Sequence, residues 1–510
     1  MYYIENRRKS MLVKNKIIRD TIFLTFIQLL LDSSALLLNI FITHRLGTSA
    51  IGILSLTGSF MLLIGMVSNG NAFLCISRLV SEEYGKKNGN PSRILLYGII
   101  MCAFLSIMCG IIIYIFSEKI SMGFFKNNAM CKPIRLLALA LPIGAFSACF
   151  KGFFNAGRTV KITAFADIIE FAVKAAVICI STLAIKVPTD AAVCNIMVSG
   201  IIVGNLTSLI TLFILFLKKY KFHKGSPSIS MKKYISLAVP IMAGGCLTSF
   251  LSSANDALIP ITLRQFGSSV KESLSQFGVF EAIVIPTLFF PSVVMCSLSG
   301  IVISETARAS ANNLVNRIKS IAENLIEKTL IFSILTSFVL MRFGNEIGRL
   351  LDGGQLAGNM ITIIAPVVPF IYLEIILEAM IKGMGMQAFS SLNYLAEYII
   401  RISIVLIFVP IMGFYGIVLS YYASNIIGNS SRLIKIFRTV KPDLKFRRAF
   451  LFPLIYAFLT MQGTEFMFRL FKINCCNIAA LSVYIIIWSM LYIIMTSGCN
   501  LIKPKPLANN

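Results

Sequence analysis

Apolar runs recur along the chain, each bounded by a short polar or basic stretch. A helix of about 20 apolar residues crosses the roughly 30 Å hydrocarbon core of a bilayer. Such runs centre near 22–43, 51–76, 94–116, 133–154, 162–185, 191–217 and 234–263, and continue near 277–303, 326–343, 359–381, 392–412, 413–431, 449–468 and 478–499. The pattern predicts an all-α polytopic membrane protein of about 14 transmembrane helices, the eleventh and twelfth divided only by the tight turn from Gly413 to Gly416. No polar stretch between runs is long enough for an independent domain. Composition agrees: 57% of the 510 residues are hydrophobic and 14% charged, outside the range of a soluble globular chain.

Charged residues inside the runs show a duplication. Pro142, Glu170 and Lys174 recur 227 residues on as Pro369, Glu397 and Arg401. Each carboxylate stands one helical turn before a cation on the same face, so each pair can be neutralised within its own helix. Unpaired, every such group would cost roughly 2.5 to 3.5 kcal/mol at membrane depth. Ser81-Glu82 answers Ser304-Glu305, and Gly47 answers Gly267, at slightly smaller offsets. The chain therefore reads as two parallel six-helix repeats plus two C-terminal helices: a lobe over 1–231, a second over 232–446, and an appended pair with a short tail over 447–510. The segment Lys218 to Lys233 reads as a flexible linker between the repeats.

Net charge is +25, which in a soluble protein would suggest nucleic acid, but its placement argues otherwise. About 33 of the 47 Lys and Arg fall on one side of the predicted spans, densest at Arg7 to Arg19, Lys218 to Lys233 and Arg432 to Arg448. By the positive-inside bias that side is cytoplasmic, with both termini. Lys119, Lys126, Lys132 and Arg135 fall on the opposite side of this count. The basic leader runs into a full-length span without a small-residue cleavage site, so the first helix is expected to stay as an anchor. The 12 cysteines, Cys475 and Cys476 included, lack metal-ligand spacing, and His44 and His223 stand apart, so neither a metal site nor a cofactor is expected. No phosphate-binding Gly-Lys loop is present, which leaves a coupling proton or sodium ion, or the cargo's own gradient, as the driving force.

Polar groups at membrane depth carry the functional expectation. They are Asp32 and Asn39 in the first span, Asp167, Glu170 and Lys174 in the fifth, Asp256 in the seventh, Glu281 in the eighth, Glu374 and Glu378 in the tenth, and Glu397 and Arg401 in the eleventh. Glu170/Lys174 and Glu397/Arg401 read as clasps inside each lobe. Asp32 and Asp256 have no opposite charge one turn away, so with Asn39 and Glu281 they are the candidates for a cavity that meets cargo or a coupling ion. Gly65, Gly244 and Gly245 and prolines 142, 240, 260, 286, 291, 366, 369 and 410 should weaken or bend the spans that contain them.

Several segments resemble the multidrug/oligosaccharidyl-lipid/polysaccharide exporter superfamily, nearest its stage V sporulation protein B branch. They are HRLGTSAIG at 44–52, SRLVSEEYGKKN at 77–88 and FKGFFNAGRTVKITAFADIIE at 150–170 in the first half. In the second half they are NDALIPITLRQFG at 255–267, PTLFFPSVVMCSLSGIVISETA at 286–307, IKGMGMQ at 381–387, VPIMGFYG at 409–416 and SSRLIKI at 430–436. The resemblance implies an alternating-access flippase in a bacterial-type cytoplasmic membrane, moving lipid-linked oligosaccharide or peptidoglycan precursors, with a polyprenyl-linked sugar as partner and a cavity lined by spans one, two, seven and eight. Where it implies basic residues in the first span, this chain has Asp32 and Asn39. That acidity favours the alternative of a cation-coupled multidrug antiporter with an organic cation as partner. A lipid-carrier transferase would need clustered Asp, Glu or His at one membrane face, and the nearest approach, Ser81-Glu82-Glu83, reads as a helix end.

Overall fold

The computed structural model describes residues 2–84, 89–125, 130–157, 159–184, 189–220, 230–470 and 478–498. His223, Lys126, Cys475, Cys476 and most of the proposed linker lie outside them. The described chain is helical throughout, without strands. Helices α1 (Tyr2–Leu46), α2 (Thr48–Asn69), α3 (Ala72–Tyr84), α4 (Pro91–Ile115), α5 (Ser117–Ile120), α6 (Cys131–Ala156), α7 (Val160–Ala184), α8 (Asp190–Lys219) and α9 (Met231–Gln265) are followed by α10 (Val270–Val279), α11 (Ile285–Phe289) and α12 (Val293–Ala311). Then come α13 (Val315–Leu350), α14 (Gly354–Ile364), α15 (Val368–Gly383), α16 (Gln387–Met412), α17 (Phe414–Val440), α18 (Phe452–Leu470) and α19 (Ile478–Gly498).

Among the described residues, eleven stretches are long and apolar enough to cross a membrane, three of which merge consecutive helices: Thr48–Ser81, Val270–Ser310 and Gly354–Gly383. Helices α7, α17 and α18 have the length but carry more polar residues, such as Asp167, Glu170 and Lys174 in α7. Each of these three falls on one of the apolar runs read from the sequence.

Contacts divide the chain into two compact units, one of Phe26–Gly278 and one of Met1–Thr25 with Val279–Asn510. The same packing set recurs inside each. In the first, α7 packs on α8, α6 on α8, α4 on α6 and α3 on α6; in the second, α16 packs on α17, α15 on α17, α13 on α15 and α12 on α15. This is the duplication seen in sequence, now expressed as packing. Helix α9 joins the first unit by packing on α2.

Small residues set the close crossings, as expected where lipid supplies no hydrophobic drive between helices. Gly200, Gly204 and Ser208 repeat every fourth residue on α8, and a Cβ at Gly204 would stand 2.9 Å from the Glu170 carbonyl oxygen on α7. Gly344 and Gly348 of α13 meet Gly358 of α14 in the same way. Helices α18 and α19 pack with α13 around Trp488, whose indole N–H donates to the Thr460 hydroxyl at 3.0 Å, and around Phe343 and Tyr484.

Prolines act unequally. Pro142, Pro240, Pro260 and Pro410 sit inside continuous helices. Pro286 and Pro291 instead accompany a broken span: the ladder passes from α10 through a π-helical stretch at Phe280–Val284, α11 and a 3-10 turn at Phe290–Ser292 before α12. A missing amide donor and a ring clash account for such breaks. The second span breaks in its own way between α2 and α3, where Gly70 and Asn71 adopt φ of 56° and 52°. Glycine takes the left-handed conformation without steric penalty.

Candidate functional site

The repeated carboxylates are held across helices and not by the cation one turn on. In the first unit Lys151 of α6 reaches α7 and places its Nζ 2.7 Å from Asp167 Oδ1 and 2.7 Å from Glu170 Oε2. Lys174, the expected partner, turns its ammonium over the Phe171 ring, 5.1 Å from the centroid. In the second unit Glu397 of α16 binds Arg432 of α17, with Nη1 to Oε1 at 2.5 Å and Nη2 to Oε2 at 3.1 Å. Arg401 lies over Tyr421 and Tyr398, at 4.4 and 5.6 Å, and donates to the Ser424 hydroxyl at 3.1 Å. The Arg432 guanidinium can serve two carboxylates in fork geometry and the Lys151 ammonium bridges two, so in each unit the interhelical partner wins over the cation one turn on.

Arg432 is the centre of a larger cluster. Its side chain is fully buried and also meets Glu374 Oε1 at 3.3 Å and Glu378 Oε2 at 3.1 Å, both from α15. Glu378 in turn accepts from the Ser390 hydroxyl and pairs with Lys382 Nζ at 3.2 Å. Asn393 donates to Glu397 at 3.2 Å, and the Tyr394 ring covers the guanidinium with its centroid 5.0 Å away. Three carboxylates against Arg432, Lys382 and the neighbouring Arg401 leave little uncompensated charge, which makes the burial tolerable.

The two clusters are variants of one scaffold. Gly204 lies against Glu170 as Gly428 lies against Glu397, and four residues further along each helix stand Ser208 and Arg432. Ser208 bonds Ser147 at 3.3 Å, where Arg432 bonds Glu374, which is the residue 227 positions after Ser147. Lys151 at the same offset becomes Glu378. The cation thus sits on α6 in one repeat and, in the other, on α17, the counterpart of α8, with the signs on the α6/α15 position reversed. Lys174 over Phe171 has its counterpart in Arg401 over Tyr398, the aromatic three residues earlier in both.

Gly428 leaves room for this arrangement, since a Cβ there would overlap the Glu397 carboxylate. Gly428→Ala is expected to displace Glu397 from Arg432 and to destabilise the fold by about 1–3 kcal/mol, the usual range for overpacking. Thermal unfolding of the purified protein measures it; an unchanged melting temperature would mean that Glu397 moves aside at no cost.

The remaining candidates are placed as follows. Asp256 of α9 accepts from the Ser59 hydroxyl of α2 and, at 3.3 Å, from the Asn255 amide. Ser253, one turn earlier, donates to the Ser59 carbonyl at 2.7 Å, so a polar seam joins α9 to α2 within the first unit. Asp32 accepts from Gln28 at 2.8 Å on α1, and Asn39 lies seven residues later on the same helix, two turns along. The most apolar stretches of α1 and α9 are each only 6% buried, against 56% for Thr48–Ser81. Glu281 belongs to the other unit, within the π-helical stretch before Pro286. A π-bulge frequently marks a functional site.

Lys151 and Arg432 were absent from the sequence-based candidates, although both lie in segments that carry the family resemblance, 150–170 and 430–436.

The described helices form a multi-pass membrane fold. A model of the family described as "Polysaccharide biosynthesis protein" matches residues 17–261. Stage V sporulation protein B of Bacillus subtilis is 19% identical over 398 residues, 74% of this chain and 75% of that protein. Among solved structures, the lipid II flippase MurJ in an inward closed conformation aligns over 94% of this chain and 98% of its own, with TM-score 0.71 and 14% identity. An inward-facing multidrug resistance MATE transporter aligns over 81% and 96%, with TM-score 0.61 and 15% identity. The family match covers a little under half of this chain, and the chain shares the fold of both solved transporters.

Proposed function

We propose that this protein is an alternating-access flippase for lipid-linked oligosaccharide or peptidoglycan precursors in a bacterial-type cytoplasmic membrane, with both termini in the cytoplasm. The extent of the structural likeness carries the reading: the flippase fold accounts for 94% of this chain, whereas the multidrug transporter fold leaves about a fifth of it unmatched. In this reading the cargo's polar head crosses beside α1, α2 and α9 while its tail stays in lipid. Asp32, Asn39, Asp256 and Glu281 are the side chains proposed to meet cargo or a coupling proton or sodium ion.

Purified protein in liposomes with a fluorescent lipid-linked oligosaccharide tests it. Protein-dependent exposure of the headgroup on the far leaflet is the expected result, and flipping no faster than in empty vesicles, beside an active homologue, overturns it. The acidic groups on α1 and α9 support a second reading, a cation-coupled multidrug antiporter. Drug resistance in a sensitive host, lost on neutralising Asp256, would favour that reading instead.

A further inference from the structure

Helix α17 presents two kinds of cation. Arg432 points into the bundle and is saturated by Glu374, Glu378 and Glu397. Lys435 and Arg438 line a groove of about 630 Å³ between α16 and α17, and neither has a carboxylate within ion-pair distance among the described residues. Lys435 reaches across the groove to α16, its Nζ 5.4 Å from the Phe389 ring centroid.

The groove is ordered along its length. Ile426 and Ile427 line one end and are 40% and 49% exposed; Ser430 and Ser431 follow one turn on, then Ile434, and last Lys435, Arg438 and Thr439. The groove runs from a largely apolar stretch, interrupted by two hydroxyls, to a cationic end, as a phospholipid runs from acyl chain to phosphate. From Ile426 to Ile434 the helix rises about 12 Å, close to the roughly 15 Å hydrocarbon depth of one leaflet. The cations then fall at headgroup level, on the side where the basic segments of the chain concentrate.

We propose that this groove is a binding site for an anionic diacyl phospholipid of the basic-side leaflet, its phosphate held by Lys435 and Arg438 and one acyl chain laid along Ile426 and Ile427. Charge complementarity selects an anionic lipid over a zwitterionic one, and basic pockets between membrane helices are known to hold anionic headgroups. The groove's single-leaflet length selects a diacyl chain over a long polyprenyl chain. The proposal is independent of the identity of the cargo.

The full-length protein in detergent, titrated separately with phosphatidylglycerol and phosphatidylcholine and read by native mass spectrometry, tests it. Phosphatidylglycerol is expected to be retained preferentially, and Lys435→Gln and Arg438→Gln each to weaken that retention roughly fivefold, with phosphatidylcholine unchanged. Lys232→Gln with Lys233→Gln, elsewhere on the chain, controls for overall charge. A Ser430→Cys variant supplies the location: phosphatidylglycerol should slow its modification by a maleimide. Equal retention of the two lipids, insensitivity to both groove substitutions, or unprotected Cys at 430 would overturn the proposal. One-for-one displacement of phosphatidylglycerol by a polyprenyl phosphate would also overturn it, assigning the groove to a lipid carrier.

Discussion

Replacing Arg432 by alanine is expected to cost about 3–5 kcal/mol of stability, because it strands buried carboxylates without their cation. The side chain is wholly buried, and Glu374, Glu378 and Glu397 converge on it from two helices. Lys382 remains for Glu378, but Glu397 would lose both its guanidinium bonds. Arg432→Lys should recover only part of the loss, since a single ammonium cannot offer separate nitrogens to three carboxylates in fork geometry. Arg432→Met combined with Gln at 374, 378 and 397 should recover more, because no buried carboxylate is then stranded, Lys382 and Arg401 being the charges that remain. Thermal or denaturant unfolding in a fixed detergent measures all three. If Arg432→Ala unfolded within about 1 kcal/mol of the parent, water or lipid headgroups must already be satisfying those carboxylates.

The second large effect concerns transport. Asp256→Asn preserves shape and leaves Ser59 a hydrogen-bond partner, yet removes the charge and the capacity to hold a proton. If Asp256 binds the coupling ion or a cationic cargo, the dependence of transport on that ligand should weaken by about 5- to 150-fold, the span of typical coupling energies. Folding should change little, since an exchange of like-sized hydrogen-bonding groups costs about 1 kcal/mol. A flux assay against the applied ion gradient, paired with the melting temperature, separates the two outcomes. Unaltered flux would remove Asp256 from the coupling role, and a collapse of stability would make it a packing residue of the α2/α9 seam.

Much of the architecture is legible in the sequence because it depends on local periodicity. Runs of apolar residues give the spans, and the recurrence of Glu170/Lys174 as Glu397/Arg401 gives the duplication. Partner choice is less legible. Counting four residues along a helix finds Lys174 for Glu170, but the nearer cation comes from Lys151, 19 residues earlier and on another helix. Glu374 and Glu378 stood out as polar groups at depth, while their cation, Arg432, follows them by more than 50 residues and reads as the start of a basic loop block. Only the aromatic three positions before each of Lys174 and Arg401 offered a local sign that these cations have company other than the carboxylates. The breaks at Pro286 and Pro291 were expected, whereas Pro142 and Pro410 leave their helices continuous, since neighbouring groups in a packed bundle can absorb a single missing donor.

The reversal of sign between Lys151 and Glu378 bears on descent. If the halves began as copies of one gene segment, they could not have exchanged a cation for a carboxylate at this position in one viable step, because a lone buried charge of the wrong sign costs several kcal/mol. A cation facing Glu378, either Arg432 or Lys382, had to be present with or before that carboxylate, or a neutral residue had to stand there in between, like the serines Ser147 and Ser208 at the adjoining pair of positions. Each repeat has become its own genetic background. Transplanting Lys151 into position 378, or Glu378 into 151, should now be poorly tolerated, although both residues occupy the same place in a common design.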